Sequence, residues 1–117
     1  MFHSTSNLKV YVATHPCDMR KSFDGLYMLV SGKLEANPQS GSLFVFFNKK
    51  ATLMKVLYWD GSGLWVLAKR LEQGTFSLPS SARSKDNKVS ITPEAYQLLT
   101  QGVELKNGMT RAWYEAP

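Results

Sequence analysis

A chain of 117 residues with 44% apolar and 20% charged residues has the length for one hydrophobic core and the composition of an ordered globule, which excludes a disordered tail and a second core. No apolar run approaches the ~20 residues that cross a bilayer. The opening Met1-Phe2-His3-Ser4-Thr5 has no secretory pattern, and a lone cysteine, Cys17, rules out an internal disulfide and fits a cytoplasmic protein. The net charge is +5, and residues 49–88 alone hold eight basic residues against three acidic ones. A polyanion is the partner such a segment suggests; the plain alternative is cations that only solubilise a sheet edge.

The chain reads as one domain over 1–117: a frayed start (1–7), a strand–helix–meander core (8–78), a mobile basic loop (79–88) and a C-terminal strand and helix segment (89–117). Leu8, Val10 and Val12 alternate with Lys9 and Tyr11, the period of a strand. His15-Pro16 breaks it, and Asp18 is placed to cap a helix predicted over 19–34, whose Met19, Phe23, Leu26, Tyr27, Val30 and Leu34 share one face. Gly25 and Gly32 inside that helix each cost about 1 kcal/mol relative to alanine, which makes sense if the helix presses closely on a sheet. Four strands are predicted next, over 43–47, 52–59, 64–71 and 75–78, with a basic turn at Asn48-Lys49-Lys50 and a tight turn at Asp60-Gly61-Ser62-Gly63. In 52–59, Leu53, Leu57 and Trp59 share a face with Lys55, and Met54, Val56 and Tyr58 line the other. Both faces are largely apolar, so one takes the helix and the other a second layer or a partner. After the basic loop, Val89-Ser90-Ile91 reads as a short strand. Thr92 caps a helix that begins at Pro93 and ends near Gly102, and 109–114 suits an edge strand. The expected fold is α+β: an antiparallel meander with one long helix packed on a face and a short C-terminal helix.

Catalysis lacks parts. His3, His15, Cys17 and Asp18 do not have the paired spacing of a metal site. No third group orients His15 toward Cys17, and Asp18, Asp24 and Asp60 are too few for a metal-dependent nuclease once the cap and the turn are assigned. No Gly-rich phosphate loop is present. The expectation is no catalytic residue, no metal and no cofactor. Anion binding fares better. Arg20 and Lys21 fall in the first turn of the predicted helix, where positive charge opposes the dipole unless a phosphate arrives; the alternative is an Arg20–Asp24 pair. Lys49, Lys50, Lys69, Arg70, Arg83, Lys85 and Lys88 complete the candidate phosphate contacts. Trp59, Trp65, Tyr58 and Phe46 are read mainly as core, with base stacking as the alternative.

Several strings resemble one family: Asp18-Met19-Arg20-Lys21-Ser22-Phe23-Asp24-Gly25-Leu26, Leu43-Phe44-Val45-Phe46 with Asn48-Lys49-Lys50, Lys55-Val56-Leu57-Tyr58-Trp59-Asp60-Gly61-Ser62-Gly63, and Lys69-Arg70-Leu71-Glu72-Gln73-Gly74-Thr75-Phe76. They are similar to the small TnpB-type accessory protein, the second reading frame, of IS-66-class bacterial insertion sequences, over residues 8–105. It is distinct from the much larger RNA-guided nuclease of the same name. The matching motif residues are Asp18, Met19, Arg20, Lys21, Phe23, Gly25, Tyr58, Trp59, Asp60 and Gly61. The resemblance implies a non-catalytic helper of DNA transposition, working beside a DDE-type transposase and a second small accessory protein at the element's ends. Where the family usually has arginines and another polar residue after the Phe-Val-Phe strand, this chain has Phe47, Lys49 and Lys50, which favours phosphate contact over bidentate base reading. The alternative is a pure docking module for the transposase without DNA contact. Oligomeric state is left open.

Overall fold

The first strand has no polar face. In β1 (Val10–Ala13), Val10 and Val12 are fully buried on one side of the sheet, and Tyr11 and Ala13 pack on the other. Such a strand needs a neighbour on both edges and a layer on both faces. The computed structural model describes residues 7–77 and 86–102 and supplies all four. The elements after β1 are α1 (Phe23–Ser31), β2 (Leu43–Phe47), β3 (Leu53–Trp59), β4 (Leu64–Arg70), β5 (Lys88–Ile91) and α2 (Pro93–Thr100). The strands form one five-stranded sheet in the order β4-β3-β2-β1-β5. β1 pairs with β2 in parallel, Val10 against Leu43 and Val12 against Val45, and with β5 in antiparallel fashion, Val10 against Ile91 and Ala13 against Lys88.

This corrects the expected architecture. The antiparallel run β2-β3-β4 is present, but the sheet is mixed, not a pure meander, and it carries two short helices in place of one long one. A fourth meander strand does not form: residues 71–77 have no strand, and Leu78 lies outside the described residues. Phe76 instead turns inward, is 3% exposed, and packs on Phe47 with ring centroids 5.4 Å apart. Its N–H donates to the Ala51 carbonyl at 2.7 Å, which pins the loop to the β2–β3 turn.

The two faces of the sheet are filled separately. On one, Leu26 and Val30 of α1 are buried with Leu34, Phe44, Phe46 and Leu57. On the other, Ala95 and Leu99 of α2 are buried with Val10, Val12, Leu43, Val45, Met54, Val56, Phe76 and Ile91. The alternation read in β3 therefore holds, and the second layer is α2 with Phe76.

α1 is nine residues, not the sixteen of 19–34, because both flanks find other partners. The Asp18 carboxylate bonds the Arg20 backbone and guanidinium and caps nothing; Ser22 precedes the helix without a side-chain cap bond. At the far end, Leu34 N–H reaches back to Leu29 and Ala36 N–H to Val30, with Glu35 at φ 50°. Met19 and Leu34 still pack in the core, so the apolar spacing outruns the helix. Gly25 is half-buried and Gly32 exposed, and for neither do the atoms nearest to where a Cβ would stand belong to the sheet. A Cβ on Gly25 meets the Lys21 stem at 3.0 Å, and one on Gly32 meets the Met28 carbonyl. α2 matches its sequence signals: the Thr92 hydroxyl accepts from Ala95 N–H at 3.1 Å, with Pro93 in the first turn.

The β2–β3 turn depends on one side chain. Asn48 Oδ1 accepts from the Thr52 and Leu53 amides at 2.9 and 3.1 Å, and its Nδ2 donates to Thr52 Oγ1 at 3.1 Å. Asn48→Ala leaves two partly buried donors without acceptors, and chemical denaturation should record a loss of about 1–3 kcal/mol.

Candidate nucleic-acid interface

Strand direction decides where the cations go. The C-terminal ends of β1, β2 and β4 and the N-terminal ends of β3 and β5 lie at the same end of the sheet. The Lys49-Lys50 turn, Lys69-Arg70 at the close of β4, and Lys88 at the start of β5 therefore meet there. The segment before α1 joins them, since Cys17 N–H donates to the Phe47 carbonyl at 2.9 Å and Lys55 Nζ donates to the Lys21 carbonyl at 2.8 Å. Seven of the nine candidate contacts, Arg20, Lys21, Lys49, Lys50, Lys69, Arg70 and Lys88, share this end. Arg83 and Lys85 lie outside the described residues.

The seven are not equivalent. Arg20 is held by Asp18 through a fork of bonds, the shortest 2.6 Å from guanidinium to carboxylate. The guanidinium keeps the Asp18 carboxyl low, at about 2, and Asp18 takes the place that the alternative reading gave to Asp24. Lys69 Nζ donates to the Thr100 carbonyl at 2.7 Å, and Lys88 Nζ to the Leu34 carbonyl at 2.7 Å. Lys88 belongs to β5 and not to the basic loop, and its ammonium lies 6.0 Å from the Tyr11 ring centroid. Lys69 closes the last carbonyl of α2, a use of an ammonium group that the helix dipole favours at a C-terminus, whereas Lys88 and Lys55 bond carbonyls in the segments after and before α1. Lys21, Lys49, Lys50 and Arg70 make no ion pair or side-chain hydrogen bond among the described residues and are exposed. Arg70 sits opposite Leu53, one diagonal step from Lys55 on the α1 face, and Lys55 reaches Lys21. The carboxylates at this end are Asp18, committed to Arg20, with Asp24, Glu72 and Asp86.

One sequence expectation fails on this geometry. Arg20 and Lys21 precede α1 and do not occupy its first turn, so a phosphate seated on that helix terminus has lost its premise. The alternative reading of the aromatics as base-stacking platforms loses ground as well. Phe46 is 1% exposed, and Trp65, 46% exposed, lies at the opposite end of the sheet beside the Asp60 turn. There the Asp60 carboxylate accepts from Ser62 and Gly63 amides, the Ser62 hydroxyl, and Trp65 Nε1 at 2.8 Å. Those donors, the indole first, hold its carboxyl far below the ordinary range, and Gly61 at φ 101° takes the turn. Burial pushes the Cys17 thiol up, against the lowering effect of Lys21, the opposite of an activated nucleophile. Among the described residues no three His, Cys, Asp or Glu side chains gather as a metal group requires, and no helix is long and apolar enough to cross a membrane.

Residues missed by sequence reasoning are Lys55 and Asn48. Lys55 stood out as the one charge on an apolar face of its strand, and that was the available signal.

Residues 8–110 match the family described as IS66 Orf2 like protein. The chain belongs to this family. Its members are accessory proteins associated with IS66 transposition. Two similar proteins of Sinorhizobium fredii carry the descriptions uncharacterized protein y4jC, 38% identical over 104 residues (89% of this chain, 86% of that protein), and uncharacterized protein y4hO, 35% identical over 107 residues (92% and 90%). No solved structure matches the chain. Of the residues that carry the family likeness, Asp60 and Gly61 build the β3–β4 turn, Tyr58 and Trp59 end β3, and Asp18 to Gly25 form the approach to α1 and its first turn.

The Asp18–Arg20 pair has a titration consequence. Arg20→Ala should move the Asp18 carboxyl from about 2 toward the ordinary ~3.9, read by NMR titration of its side-chain carbon. Because the folded-state value is depressed, the pair stabilises the fold above pH ~4 and loses that effect as pH falls toward 2. Solvent screening keeps the effect small, and the variant should lack it.

Proposed function

We propose that this protein is a non-catalytic accessory of IS66 transposition that binds DNA phosphates through the cationic end of its sheet, acting in the cytoplasm beside a DDE-type transposase and a second small accessory protein. The observation that carries this reading is the set Lys21, Lys49, Lys50 and Arg70: four exposed cations without side-chain partners among the described residues, drawn from three separate stretches of chain to one end of the fold. Lysine ammonium groups on a turn meet phosphate oxygens as point charges and carry little base information. The expected mode is therefore backbone contact near the element's ends, with sequence choice left to the transposase. Arg20, Lys69 and Lys88 contribute field more than contact, since each is engaged within the chain. Arg83 and Lys85 extend the set by sequence alone.

Four phosphate contacts predict a log–log dependence of affinity on salt with a slope of about −4, through counterion release. In gel shifts with element-end duplex across a salt series, each of Lys21→Ala, Lys49→Ala, Lys50→Ala and Arg70→Ala should flatten the slope by about one. A transposase pull-down that survives high salt, with no duplex shift at any salt, would overturn the DNA reading in favour of docking.

A further inference from the structure

We propose that β4 is a dimerisation edge, and that it pairs antiparallel with β4 of a second copy about a two-fold axis through Leu67, joining two sheets into one of ten strands. This stands apart from the DNA reading and rests on the β4 backbone, with Arg70 the one phosphate contact that enters both.

Among the described residues β4 is the outer strand of the sheet, seven residues long, where the opposite edge, β5, has four. Its backbone polarity can be read from the ladder. Asp60 N–H donates to Gly63 and Leu71 N–H to Thr52, so the odd-numbered residues of β4 form the hydrogen-bonded pairs with β3. In an antiparallel ladder such pairs alternate, so Leu64, Val66, Ala68 and Arg70 turn their N–H and C=O groups outward. An edge of this kind is a template for another strand. Its cations, Lys69 and Arg70, are confined to one end, and Leu64–Ala68 carry no charge.

The side chains select the partner and the register. With the axis at Leu67, Val66 opposes Ala68 of the second copy and Leu64 opposes its Arg70, and the four outward residues of each strand make about eight new backbone hydrogen bonds. On the α2 face, Trp65 comes opposite Lys69 of the second copy and Leu67 opposite its twin. Trp65, one of the large apolar side chains left exposed, at 46%, thereby meets the methylene stem of Lys69, whose ammonium stays on the Thr100 carbonyl. Its ring is already oriented by the 2.8 Å bond to Asp60. The charges agree as well. Each β4 begins at an acidic turn, with Asp60 held ionised by four donors, and ends at Lys69-Arg70. Antiparallel pairing sets the acidic turn of each copy beside the cations of the other. Parallel pairing, or an axis at Lys69, sets like charges together. A self-complementary edge of this sort is the isologous contact that closes as a dimer.

The test uses the full chain. Sedimentation equilibrium of the wild type should give twice 13.2 kDa at the upper concentrations, and Ala68→Pro should halve that mass with an unchanged circular dichroism spectrum. The Ala68 N–H points away from β3, so proline there removes no bond of the protomer. A second measurement keeps the proposal open to refutation if that variant does not fold. On a Cys17→Ser background, Leu67→Cys should form an intermolecular disulfide on mild oxidation, because residues directly opposed at a wide pair have Cα atoms about 4.5 Å apart; Ala68→Cys should not. A wild type that stays monomeric at all concentrations, a dimer that persists in Ala68→Pro, or cross-linking through position 68 and not 67 overturns the assignment. A monomer that still shifts DNA overturns this proposal alone and leaves the phosphate reading standing.

Discussion

The structure depends on the double-sided burial of β1. Val10 and Val12 fill one core and Ala13 with Tyr11 the other, so the strand is habitable only at the middle of a sheet with helices above and below. That requirement calls for a neighbour on each edge, and the one β2 supplies is parallel. A crossover is the only route for a parallel neighbour, and α1 is that crossover. Tyr11 stacks on Phe44 at 5.7 Å across the parallel pair, which locks the two strands on the α1 face as Val12 and Val45 do on the other.

Lysines hold the crossover in place. Lys55 takes the Lys21 carbonyl just before α1, and Lys88 takes the Leu34 carbonyl just after it. These two lysines come from β3 and β5, three strand positions apart, so the helix segment is tethered at both ends by ammonium groups rising from the sheet. A carbonyl bonded to an ammonium is a stronger acceptor site than one facing water, since charge-assisted bonds are short and roughly twice as strong as neutral ones. The same chemistry recurs where Lys69 closes α2 at Thr100. The basic character of the chain thus serves two ends. Part of it ties carbonyls inside the fold, and the remainder projects from the β2–β3 turn, the pre-helix segment and the last residue of β4.

Local chemistry was legible in the sequence and long-range pairing was not. The Asp60-Gly61 turn, the Thr92-Pro93 helix start and the face alternation of Leu53 to Trp59 follow from a few neighbouring residues, and each is found. The parallel β1–β2 pair is invisible to such reasoning, because Val10 and Leu43 are more than thirty residues apart and nothing in either run specifies direction. The apolar spacing of 19–34 overstated α1, since Met19 and Leu34 reach the core from non-helical backbone. Asp18 misled for a related reason: an Asp-x-Arg spacing suits a carboxylate–guanidinium fork as well as a helix cap, and the fork has the better geometry. The Lys-Arg clusters were legible as candidates, but which of them were spoken for by carbonyls depended on strand order.

One consequence of the sheet order concerns the ribosome. β1 emerges well before β5, which closes its second edge at residues 88–91. Until then its outer N–H and C=O groups face water, and the core under α2 lacks Ile91, Ala95 and Leu99. Contacts of such sequence separation make folding slow relative to a chain of local hairpins. The nascent protein therefore waits, as an open half-sheet, for β5 and α2 to arrive.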